Sequence, residues 1–99
     1  MVVGVEIEFD GVTIEQYARV LEMVGAPAGG PMPDGGLFGW VVATENGIRV
    51  AEVWESEEAF RRFVAERLIP AARRIGIVGE PRVTFRDVLG SPRPGGLGC

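Results

Sequence analysis

The sequence contains no histidine and no lysine, and its one cysteine stands last in a chain of 99 residues. Each absence removes a class of chemistry. Without histidine there is no imidazole to act as a general base near neutral pH or to complete a nucleophilic triad. With neither histidine nor an internal cysteine, a zinc site lacks its usual ligands, so no metal centre is expected. All ten basic residues are arginine, which rules out Schiff-base chemistry on a lysine and a Walker-type phosphate loop. Cys99 has no partner for an internal disulfide, so the fold does not depend on an oxidising compartment. No long uninterrupted apolar run occurs and no basic-then-apolar leader opens the chain; no membrane contact is expected, and the cytoplasm is the default location. A net charge of −4 and an isoelectric point near 4.8 argue against a nucleic-acid partner, because phosphate binding needs clustered cations.

What is present is a regular alternation of element signals. Residues 2–9, VVGVEIEF, have a period of two, with Val3, Val5, Ile7 and Phe9 on one face and Glu6 and Glu8 on the other, as in a strand. Thr13 followed by Gln16 fits a capping box, and Val12 can staple to Tyr17. The helix so started carries Ile14, Tyr17, Ala18, Leu21 and Val24 at helical spacing, and Gly25 with Pro27 ends it. Residues 25–36 are a Gly/Pro-rich loop, either a plain connector or a mobile cover over a site. A second strand spans 37–44, Glu45-Asn46-Gly47 makes a hairpin turn, and a third strand runs over 48–55. Ser56 caps a second helix, opened by Glu57 and Glu58, which suits the positive end of the helix dipole. That helix should kink or restart at Pro70 and end at Gly76. A last strand covers 82–89, and residues 90–99 read as a flexible Gly/Pro tail.

Strand, helix, strand, strand, helix, strand is the split βαβ order. It predicts an α+β, ferredoxin-like domain over residues 1–89, with a four-stranded antiparallel sheet and both helices on one face. The second strand places Leu37, Val41 and Ala43 on one side and Phe38, Trp40 and Val42 on the other. The third places Ile48, Val50 and Trp54 opposite Ala51 and Val53. Both faces therefore want burial, and a second copy of the chain is the simplest cover for the face without helices.

The segments GVTIEQY at 11–17, LFGW at 37–40, GIRVAEVWESEEAFRRFVAERLIPA at 47–71 and VTFRDV at 83–88 resemble the antibiotic biosynthesis monooxygenase-like superfamily. The resemblance extends over about residues 3–89 and is to small actinobacterial members. It implies a dimeric α+β barrel and, by analogy with that superfamily, a cofactor-free monooxygenase, cyclase or isomerase acting on an aromatic or polyketide-like compound. Relatives often carry histidine after the LF of the second strand and near the end of the last strand. Here Gly39 and Leu89 occupy those places, which speaks against haem binding through histidine and against histidine-based cyclisation.

The remaining polar side chains set the candidates. Glu52 lies between Val50 and Trp54 on an otherwise apolar face, so a partly buried carboxylate could take an acidic phenol or enol proton. Arg86 or Arg49 could hold the anion so formed. Trp54, Trp40, Phe38 and Tyr17 could line a pocket for a flat apolar molecule, with Glu6 nearby; each can equally be core or interface packing. Glu6, Glu8, Arg82 and Arg86 can equally form solvated ion pairs. A non-catalytic ligand-binding or structural dimer is the other function open to such a sequence. A slip of one residue in the third strand would exchange Glu52 and Trp54 for Arg49 and Val53 on the pocket side.

Overall fold

The computed structural model describes residues 2–27 and 29–88. The expected tail at 90–99, Cys99 and Leu89 lie outside the described residues. The elements follow the expected order, with β1 (Val3–Asp10), α1 (Ile14–Met23), β2 (Gly36–Ala43), β3 (Gly47–Trp54), α2 (Glu57–Phe63), a π-helical segment (Val64–Leu68), α3 (Ile69–Ile75) and β4 (Arg82–Asp87). The four strands form one antiparallel sheet in the order β2-β3-β1-β4. This is the ferredoxin-like α+β architecture.

Local chemistry fixes the element ends. Thr13 and Gln16 form both halves of the capping box at the start of α1, at 3.1 and 2.9 Å. They satisfy two of the amides that a helix start leaves unpaired. Ser56 Oγ accepts from the Ala59 amide at 3.1 Å to begin α2. The β2–β3 hairpin turns at Thr44–Asn46, and Gly47 already belongs to β3. Glycine is needed there for proximity: a Cβ on Gly47 would overlap the carbonyl oxygen of Phe9.

The second helix departs from a simple kink at Pro70. The turn just before the proline is widened, so that the Ile69 amide reaches the Val64 carbonyl five residues back. Proline offers no amide to the residue four positions earlier and its ring crowds that carbonyl. The π turn spreads the backbone where this conflict falls. Arg67, within that turn, donates to the Val24 carbonyl at 2.8 Å and ties the segment to the end of α1.

Alternation along β1 puts Val5, Ile7 and Phe9 under the helices, where they are buried with Ile48, Val50 and Trp54 of β3. Tyr17 and Val20 of α1 and Phe60, Leu68, Ala71 and Ala72 of the second helical stretch close this core from above. Among the described residues no element covers the other face of the sheet. On it, Phe38 and Trp40 are 64% and 55% exposed, beside Ala51 and Val53 on β3. β1 and β4 fill the rest of that face with Glu6, Glu8, Arg82 and Arg86. A register shift between Gly36 and Phe38 takes Leu37 out of the expected alternation with Val41 and Ala43, and Leu37 is left half exposed.

Candidate functional site

The β1–β3 register decides where the chemistry sits. Val5 lies opposite Glu52, Val3 opposite Trp54, and Glu6 opposite Ala51. Cross-strand partners share a face, so Glu52 and Trp54 belong to the side covered by the helices. Glu6 belongs to the open side. On its other flank Glu52 faces Gly39 of β2. A Cβ at position 39 would come within 3.0 Å of Glu52 Cγ and 3.5 Å of Oε2. The glycine thus leaves the carboxylate the space that a side chain would fill.

The carboxylate is held from behind. Trp54 Nε1 donates to Glu52 Oε1 at 2.9 Å. The Trp54 ring is fully buried and meets Phe60 edge-on and Phe63 at a tilt, with ring centres 5.6 and 5.3 Å away. Glu52 lines a cavity of about 320 Å³ between β2 and α1, at the low end of volumes used for small ligands. Its walls are Ile14, Tyr17, Ala18 and Leu21 of α1, Gly39, Trp40 and Val41 of β2, Phe63, and loop residues 26, 27 and 29–33. Glu52 is the one charged side chain among them. The Gly/Pro-rich loop is therefore a wall of the site as well as a connector. Gly35 anchors its end at a φ of +89°, where a side chain would strike Ala59, and its carbonyl accepts from the Glu55 amide at 2.8 Å.

Burial pushes the Glu52 carboxyl above the ordinary carboxylate range, and the indole N–H opposes this in part. Charge is costly in such a place unless it is hydrogen-bonded. Tyr17 is buried against Phe9, with ring centres 5.6 Å apart. Burial and then the nearby Glu52 charge raise its hydroxyl above the ordinary phenol range, so it stays protonated as a donor. Among the described residues no buried polar side-chain atom lacks a partner.

Several expected site residues lie elsewhere. Arg86 Nε donates to Glu6 Oε2 at 2.8 Å on the open face, across the sheet from Glu52, so the expected acid–base and anion-binding pair is not assembled. Arg49 is 3.7 Å from Glu8 on that same side. Arg82 bonds Asp10 at 2.7 Å and Glu8 at 3.3 Å and holds the Asp10 carboxyl below its usual range. Phe38 faces outward with them. Trp54 backs Glu52 and does not line the cavity; Trp40 and Tyr17 do border it. Leu21 and Met32 are pocket residues that the sequence pattern did not place at a site, and it marks Gly39 only as the place where relatives carry histidine. For Met32 the one signal was the clustering of Gly and Pro in the loop. Among the described residues no group of three or more His, Cys, Asp or Glu gathers as a metal site would require, and no helix is long and apolar enough to cross a membrane.

No family model and no curated protein matches the sequence. Solved structures do match the fold over nearly its whole length. SnoaB, a cofactor-independent oxygenase from Streptomyces nogalater, superposes with a TM-score of 0.58 at 17% identity, covering 91% of this chain and 94% of that one. The ActVA-Orf6 monooxygenase of Streptomyces coelicolor, in complex with nanaomycin D, gives 0.55 at 23% identity, covering 94% and 91%. A Deinococcus radiodurans protein assigned as an antibiotic biosynthesis monooxygenase gives 0.55 at 17%, covering 95% and 98%. The chain has the fold of antibiotic biosynthesis monooxygenase-type proteins.

Proposed function

We propose that the protein is a cofactor-independent enzyme that takes a proton from a small, apolar, hydroxylated aromatic or polyketide-like compound and so commits it to oxygenation. The observation that carries this reading is Glu52: a single carboxylate that burial makes more basic, lining an otherwise apolar cavity. A base of this kind is matched to an acidic phenol or enol proton near neutral pH. Removing that proton leaves an electron-rich anion in an otherwise apolar site. Dioxygen can then accept two electrons from the anion, forming a C–O bond; protonation and loss of water convert a ring CH₂ into C=O. One dioxygen is consumed and one water released, with the substrate itself as reductant. Cyclisation and isomerisation begin with the same proton transfer and are the other outcomes open to this site. Tyr17 would donate to the substrate oxygen, and Leu21 and Phe63 would bound its flat ring.

The test is Glu52→Gln with oxygen uptake measured over a panel of hydroxylated tricyclic aromatics. A general base is worth about 10²–10⁴-fold, so turnover should fall by at least about 100-fold while the fold persists. Undiminished turnover refutes the role.

A non-catalytic binding protein is the second reading, favoured by the absence, among the described residues, of any arginine on the cavity walls that could hold an anion. It predicts that the same compounds bind to wild type and to Glu52→Gln with no oxygen uptake by either. In both readings the apolar half of the open face, Phe38 and Trp40 above all, is covered by a second copy of the chain, giving a homodimer.

A further inference from the structure

We propose that Trp54 is a positioning residue: its indole N–H fixes the Glu52 carboxylate so that one oxygen is always presented to the cavity. The inference rests on the reading of Glu52 as the base and adds a residue to that machinery.

The geometry has three parts. First, the donor cannot wander. The indole is fully buried between Phe60 and Phe63, and on its remaining side a Cβ at Gly35 would lie 3.5 Å from two of its ring carbons. A ring clamped by a helix and a loop holds its N–H in one direction. Second, the acceptor is otherwise free. Glu52 has several rotatable bonds, and its cross-strand neighbours are Val5 and Gly39, neither of which can hold a carboxylate. The indole bond at 2.9 Å is the one side-chain hydrogen bond that Glu52 makes among the described residues. Third, using Oε1 leaves Oε2 beside the notch at Gly39. The substrate-facing oxygen is thus selected by elimination. An N–H donor also favours the ionised form and acts against the effect of burial.

The groups facing Glu52 are few, which makes the effect readable. α1 contributes Tyr17, the one other titratable side chain on the cavity among the described residues. β1 and β2 contribute Val5 and Gly39, and α2 contributes Phe63.

The experiment removes the N–H and keeps the ring. Trp54→Phe is the simple variant. Replacement of Trp54 by benzothienylalanine, in which sulfur takes the place of the N–H, preserves the volume where phenylalanine would leave a void. Glu52 is observed directly, without substrate, by ¹³C NMR of its labelled carboxyl across pH. In both variants its titration midpoint should move up from wild type. Turnover of the hydroxylated aromatic at neutral pH should fall about tenfold, the effect of losing one charge-assisted hydrogen bond. KM should change little, and the acid limb of the pH–rate profile should move to higher pH. If the folded isostere variant titrates and turns over like wild type, Trp54 is packing alone and the proposal is wrong. The two levels separate cleanly: full activity in Glu52→Gln removes the enzymatic reading, while the carboxyl titration still decides what Trp54 does to Glu52.

Discussion

Substituting Glu52→Gln should make the protein more stable while it abolishes turnover. Glutamine keeps the volume and still offers Trp54 an oxygen, so what changes is the charge. One carboxylate oxygen is satisfied by the indole, and the side chain lines the cavity. The burial penalty is therefore partial, about 1 kcal/mol at a pH where the group is ionised. For a domain of this size that corresponds to a rise in Tm of about 4–8 °C. The sign follows from linkage. The Glu52 carboxyl of the folded protein lies above its ordinary value of 4.5. Below that ordinary value both folded and unfolded chains are protonated, and the group costs nothing. As pH rises the unfolded chain ionises first, so the penalty grows from about pH 4.5 upward and levels off above the raised value. Melting curves of wild type and Glu52→Gln should therefore nearly coincide at pH 4 and separate progressively toward pH 8, with the variant higher. A difference independent of pH, or a variant melting below wild type at pH 8, would refute a destabilising buried carboxylate.

Other perturbations test the surrounding structure. Gly39→Ala places a methyl group 3.0 Å from Glu52 Cγ; the indole prevents the carboxylate from retreating, so ligand affinity should fall about tenfold with the change in stability held to about 1 kcal/mol, read by calorimetric titration and thermal melts. Phe38→Asp combined with Trp40→Asp should convert a particle of twice the 10.6 kDa chain mass into a monomer in light scattering, whereas a monomeric wild type would refute pairing through the open face. Thr13→Ala removes one half of the capping box and should cost about 1 kcal/mol in denaturant unfolding; no loss would mean that the box does not hold the start of α1.

The element order, the capping box, the Ser56 cap and the hairpin could all be read from residues, because each is a local contest that a few side chains decide. The facial grouping within β1 and β3 was legible too: Val5 with Ile7 and Phe9, and Val50 with Glu52 and Trp54. What the sequence did not contain was the relation between those groups. Odd-numbered residues of β1 oppose even-numbered residues of β3, and that parity depends on how two distant segments dock. It decides that Glu52 keeps company with Val5 and leaves Glu6 and Arg86 on the far side. The β1–β4 register pairs even with even, and there the expected neighbours, Glu6 with Arg86 and Glu8 with Arg82, do meet. The π turn before Pro70 was only half legible. Proline announces a disturbance, but packing against α1 through Arg67 and Leu68 decides which turn absorbs it.

The assignment of consecutive β3 residues to opposite faces divides the strand between two kinds of selection. Positions 48, 50, 52 and 54 answer to the core and the cavity, while 49, 51 and 53 answer to whatever meets the open face. A saturation scan of β3 would show this as two interleaved tolerance profiles, each reported by a different assay. Because neighbouring positions serve separate ends, the ligand preference of this chain and its choice of partner can drift or be redesigned independently within one eight-residue segment. A single inserted residue at the middle of β3, by contrast, would exchange the two profiles beyond it and disturb both properties at once.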